Sequence, residues 1–138
     1  MKNILYLSLS LLLIATIVGC HDPVKKPLGA DYYLMGLKDD SASIKLVHGV
    51  NDRFDDIVLG EIVDFDADND FILVHRKASE KARTLFEENP LWIKQISPKD
   101  QYWIVEKRYD GVTGPLTKEE YLVKRKQLQI SEGVKIRQ

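Results

Sequence analysis

The chain has little of what the commonest site chemistries require. A single cysteine, Cys20, occurs in 138 residues, so an internal disulfide is excluded and an exported domain has to stand on packing alone. The histidines are three, His21, His48 and His75, and neither His-x-x-x-His nor Cys-x-x-Cys spacing occurs. A glycine-rich serine elbow is absent, which leaves nucleophilic catalysis without a motif. Charge of one sign is lacking too: 20 basic against 21 acidic side chains give a net charge of −1, the wrong balance for a phosphate-neutralising surface, so nucleic acid is not an expected partner. Internal repeats and low-complexity tracts are missing, and nothing asks for a cofactor. Long apolar runs are scarce as well, since the one present, residues 4–18, falls short of the about 20 residues that span a bilayer.

That short run sets the organisation of the whole chain. Lys2 supplies a positive start, the apolar run follows, and it ends in Ile17-Val18-Gly19-Cys20. A short apolar stretch behind a basic residue and before small residues reads as a cleaved export signal. The ending resembles the lipobox of bacterial lipoproteins. The resemblance implies diacylglycerol on the Cys20 thiol, cleavage just before it, and acylation (commonly palmitate) of the new amino group. Two or more acyl chains hold durably where one holds marginally, at about 0.8 kcal/mol per buried methylene. The competing readings are an uncleaved membrane anchor with a free thiol and a secreted protein cut elsewhere.

Three segments are therefore expected: signal peptide 1–19, lipidated cysteine and tether 20–29, and one domain over 30–138. Lys2 is the one charged residue of the signal, so its loss takes the net charge from −1 to −2. Pro23, Pro27 and Gly29 with Lys25 and Lys26 suit an extended tether. The expected location is the bacterial cell envelope, with inner membrane, outer membrane and surface leaflet left open.

Within the domain, residues 31–37 and 43–48 are β-rich runs around a polar turn, and 49–56 reads as a polar loop. Residues 57–65 and 71–76 read as a hairpin whose first strand has a bulge or a bend at Gly60. Residues 79–88 have helical spacing, with Ser79 as cap and Asn89-Pro90 as stop. Tyr102-Trp103-Ile104-Val105-Glu106 is the strongest strand, and Val112-Thr113 pairs back after an Asp110-Gly111 turn. Thr117 with Glu120 forms a capping box, and Leu116 with Tyr121 the accompanying staple, for a helix running to about Leu128. The tail 131–138 alternates Val134 and Ile136 and is either frayed or an added edge strand. The sum is an α+β fold: an antiparallel meander sheet of about five strands with two helices on one face. The Tyr-Trp-Ile-Val strand, Gly114-Pro115-Leu116-Thr117 and the earlier Asp31-Tyr32-Tyr33-Leu34 resemble small envelope lipoproteins of a domain-of-unknown-function family, a likeness that implies a fold and no chemistry.

Four sets of side chains are candidate sites. Asp64, Asp66, Asp68 and Asp70 alternate as calcium ligands could, yet counting from Asp64 an EF-hand would need glycine where Asn69 stands and glutamate where His75 stands. The plainer reading is a hairpin turn of residues that bond their own backbone. His48 and His75 each end a strand pattern and could meet as two zinc ligands, one or two short of a site. Tyr32, Tyr33, Tyr102 and Trp103 are the candidate binding aromatics, and strand alternation forces each adjacent pair to opposite faces. Lys124-Arg125-Lys126 on the last helix faces either anionic headgroups or water. The expected function is a non-catalytic, membrane-anchored envelope lipoprotein that binds a protein partner in the envelope. The alternative is a small-ligand or calcium-binding domain, or a carboxylate-based hydrolase, with residues 64–70 and His75 as its site.

Overall fold

The computed structural model describes residues 23–77, 79–95 and 100–137, so Cys20, His21 and the signal segment lie outside the described residues. Two-residue turns shape the first half of the domain. β1 (Pro23–Gly29) and β2 (Tyr32–Leu37) join through Ala30 and Asp31, at φ 49° and 60°. β3 (Asp40–Val50) and β4 (Arg53–Val58) join through Asn51 and Asp52, at φ 48° and 62°. Positive φ at both central residues gives the twist of a tight hairpin, and Asn and Asp tolerate it better than most.

The four strands make one antiparallel sheet in the order β1-β2-β3-β4, and a second sheet is built from β5 (Ile62–Ala67), β6 (Phe71–Lys77), β7 (Asp100–Glu106) and β8 (Gly111–Leu116) in the order β5-β6-β7-β8. The α+β class and the meander connectivity stand. The single sheet of about five strands does not: there are two sheets of four.

The cause is at the corner after β4. Gly60 and Glu61 both have positive φ, 55° and 50°, and a Cβ on Gly60 would sit 2.5 Å from the Ala42 carbonyl oxygen. The stretch expected as one bent strand therefore breaks in two, with its halves in different sheets. Two further strands lie where none was expected. Pro23–Gly29, read as tether, is edge strand β1, where prolines are tolerated because an edge leaves donors unpaired. Arg53–Val58, read mostly as loop, is β4, paired with β3.

The helices are α1 (Glu80–Phe86), the short α2 (Trp92–Gln95) and α3 (Lys118–Gln127). They do not share one face: α1 contacts β3 of the first sheet and α3 contacts β7 of the second. The Ser79 cap and the Thr117–Glu120 capping box form as expected.

The two sheets pack on each other, and α3 with the C-terminal segment forms a third layer. Between the sheets lie Tyr32, Leu34, Leu46 and Val58 from the first and Ile72, Val74, Trp103 and Val105 from the second. On the second sheet's far face Leu73, Tyr102 and Ile104 meet Tyr121, Ile130, Val134 and Ile136. Tail residues 134 and 136 are thus buried, and over its described residues, 131–137, the tail is neither frayed nor paired as a strand.

Two buried cations pin the layers. The fully buried Arg76 donates to Leu59 O at 2.6 Å, Gln95 O at 2.7 Å and Gln101 Oε1 at 2.7 Å, tying β6 to the corner, α2 and β7. Lys107 donates from Nζ to the Leu28 and Asp68 carbonyls, joining the end of β1 to the β5–β6 turn.

Candidate functional site

Alternation separates the candidate aromatics as the strand period requires. Tyr32 and Trp103 point between the sheets, each 1% exposed, and Tyr102 lies under α3 at 8%. Of the four, Tyr33 alone reaches the surface in part, on the outer face of the first sheet. Its partner is Phe54, 44% exposed, whose ring meets the Tyr33 ring edge-on at 5.6 Å and 88°. The Lys25 ammonium sits 4.5 Å from the Tyr33 centroid and 4.7 Å from that of Phe54, within cation–π range. Gly49, opposite Phe54 in the ladder, lies against both rings: a Cβ there would be at ordinary contact distance, 3.6 Å from each. Phe54 was hidden in a stretch rich in aspartate. The signal that could have found it is Asn51-Asp52, a hairpin dipeptide that makes the next residues a strand.

The histidines do not meet. His48 is on the inner face of the first sheet, stacked on Tyr32 at 4.1 Å, with Nε2 3.7 Å from Asp110 Oδ1. Tyr32 donates from its hydroxyl to the same carboxylate at 3.4 Å. Burial, and then the Asp110 charge and hydrogen bond, push the Tyr32 hydroxyl up to about 12. His75 is on the far face of the second sheet, stacked on Tyr102 at 4.6 Å; its Nε2 lies 3.1 Å from Asp100 Oδ2 without aligned hydrogen-bond geometry. Tyr102 in turn stacks on Tyr121 at 5.1 Å, which is how α3 seats on the sheet.

The acidic run is committed to backbone. Asp64 and Asp66 lie on the far face of β5, where Asp66 Oδ2 accepts from Lys135 N at 2.9 Å and Asp64 Oδ2 accepts from Arg137 N. Asp68 Oδ1 accepts from Asp70 N at 2.9 Å and Phe71 N at 2.7 Å, closing the hairpin turn. Asp70 is exposed and takes part through its carbonyl, which accepts from Lys107 N at 2.9 Å. Among the described residues no group of three or more His, Cys, Asp or Glu side chains is placed to hold a metal ion. The turn accounts for Asp68 and Asp70, and the docked tail for Asp64 and Asp66.

The basic run divides likewise. Arg125 donates to Tyr121 Oη at 3.3 Å and to Ser131 O at 2.9 Å, while Lys126 is exposed. Both line an open groove of about 1040 Å³ between α3, the C-terminal segment and β5, with Phe65, Leu122 and Ile130 among its apolar walls. None of the described helices is long and apolar enough to cross a membrane.

The chain belongs to the family described as protein of unknown function, DUF3997, which it matches over residues 29–138. No curated protein and no solved structure matches it. The family begins where β1 ends, so the match covers β2 to β8, α1 to α3 and the docked tail.

Proposed function

We propose that the protein is an envelope lipoprotein, held at a membrane by lipid on Cys20, whose domain binds a protein partner through Tyr33, Phe54 and Lys25. The anchor rests on the Ile17-Val18-Gly19-Cys20 ending and on the uniqueness of that cysteine. The partner reading is carried by one observation: an aromatic pair left 44% exposed at Phe54, with a cation against both rings. Solvent-facing aromatics backed by a rigid sheet bring large contact area at little entropic cost, as interface anchors do. A partner offering an apolar contact beside a carboxylate fits the patch, since Lys25 would meet the acid. The calcium or hydrolase alternative draws less support, because Asp64 and Asp66 already accept main-chain amides.

Cys20→Ala tests the anchor. The expected result is release from the membrane fraction or accumulation of an uncleaved precursor, and an unchanged fraction with unchanged mass rejects the anchor. For the partner, a photo-cross-linker at position 54 should trap one envelope protein, and Tyr33→Ala should abolish the adduct. The same adduct formed from position 122, on α3 and the opposite side of the fold, would show the patch to be irrelevant.

A further inference from the structure

The eight strands complete their ladders without the last ten residues. After the α3 cap at Leu128 the chain turns through Gln129, at φ 54°, and the segment beyond it crosses the far face of the second sheet beside β5. Its described backbone–backbone bonds are local: Gln129 N to Lys126 O, Ile130 N to Arg125 O and Val134 N to Ser131 O. What attaches it to the sheet is of another kind. Ile130, Val134 and Ile136, each 5–6% exposed, enter the layer formed by Leu73, Tyr102, Ile104 and Tyr121. The intervening Lys135 and Arg137 turn their amides to the Asp66 and Asp64 carboxylates and their side chains to solvent.

This is how an extended peptide sits on a receptor. Alternate side chains fill apolar sockets, alternate amides meet fixed acceptors, and the period of two on the segment matches the period of two on β5. The floor's two carboxylates complement a segment that carries cations at those amide positions. Beside it the open groove leaves an approach along α3.

We propose that the far face of the second sheet is a peptide-binding groove, occupied in cis by the chain's own C-terminal segment, whose partner is an extended segment with alternating apolar and basic residues. The site is separate from the Tyr33–Phe54 patch, on the other outer face of the fold, and stands or falls independently of it. The resident tail acts as a competitor: tethered, it presents an effective concentration on the order of millimolar, which a partner in trans has to overcome.

The test uses the full chain and a labelled synthetic peptide of sequence Ser-Glu-Gly-Val-Lys-Ile-Arg-Gln, that of residues 131–138. Val134→Asp combined with Ile136→Asp should expel the resident tail. Peptide binding is then expected at least tenfold tighter than to the wild type, and adding Asp64→Ala and Asp66→Ala should weaken it tenfold or more. Equal binding to both chains, or none, overturns the proposal, and so does loss of cooperative melting in the double variant, which would make the tail part of the core. Hydrogen exchange on the unmutated chain gives a second reading. The Lys135 and Arg137 amides should exchange at least tenfold faster than the β6 and β7 amides, and equal protection would mean the tail leaves only on global unfolding. Concentration-dependent dimers of the wild type that the double variant abolishes would assign the groove to a second copy and overturn the partner assignment.

Discussion

Arg76 shows how much one side chain can hold when the strand pattern brings a cation inside. It lies in the ladder between Ile62 and Gln101, on the face between the sheets, with its guanidinium over Trp92 at 5.5 Å. Burial pushes it down to about 10, against a smaller opposing pull from Glu61, so it stays charged at neutral pH. The bonds it donates go to carbonyls of the corner and of α2 and to the Gln101 amide oxygen. Arg76→Met is therefore expected to cost roughly 2–4 kcal/mol, the price of leaving several acceptors unmet less the relief of an unpaired buried charge. Arg76→Lys should lose a similar amount, because a single ammonium cannot span the same fork. Urea denaturation measures both, and a loss under ~1 kcal/mol in each would show that the corner holds by packing alone. Neither Arg76 nor Lys107 is legible in sequence: each follows an apolar run among polar or charged neighbours and so reads as solvent-facing, and its burial depends on carbonyls contributed by segments far along the chain.

At the level of elements, legibility follows how local the determining chemistry is. The α3 start is written in four residues: Thr117 Oγ1 accepts from Glu120 N at 3.2 Å, and Glu120 Oε2 accepts from Thr117 N at 2.8 Å. Leu116 and Tyr121 pack in the same cluster, as the staple requires. Thr117→Ala should cost about 1 kcal/mol, as loss of a cap usually does. Because Tyr121 seats α3 on Tyr102, the loss should also raise hydrogen exchange through the first turn of α3 while the β1–β4 amides keep their protection; uniform loss would mean that the cap matters only through global stability. The missed strands have non-local causes. β1 reads as tether because its prolines are compatible with a strand only at an edge, and β4 is masked by Asp55 and Asp56, the latter paired with Lys45 on the first sheet's outer face. The candidate site divides the same way: alternation correctly separates Tyr32 from Tyr33 and Tyr102 from Trp103, but which member meets water depends on which faces the second sheet and α3 cover.

At the scale of the molecule, two meanders and a helical layer leave three tyrosine hydroxyls in places where an added negative charge is unwelcome. Tyr32 is pushed up to about 12 from 10.0, and Tyr102 and Tyr121 are raised as well, in each case first by burial. A hydroxyl raised on folding keeps its proton in the native state after the unfolded chain has lost it. Between the two values the unfolded chain binds fewer protons, so stability is fully present below pH 10 and falls as pH rises towards 12. Lys107 and Arg76 act with the opposite sign: burial lowers both, so folding releases their protons early and stability gains with rising pH in the same alkaline range. The wild-type curve alone therefore mixes two trends, and Tyr32→Phe isolates one, since it removes the hydroxyl that spans the sheets to Asp110 and leaves the ring free to stack on His48. The stability difference between wild type and Tyr32→Phe should shrink by on the order of 1 kcal/mol between about pH 9 and pH 11. Denaturant titrations at those two pH values measure it, and a difference that stays constant would mean that Tyr32 titrates alike in the folded and unfolded chains.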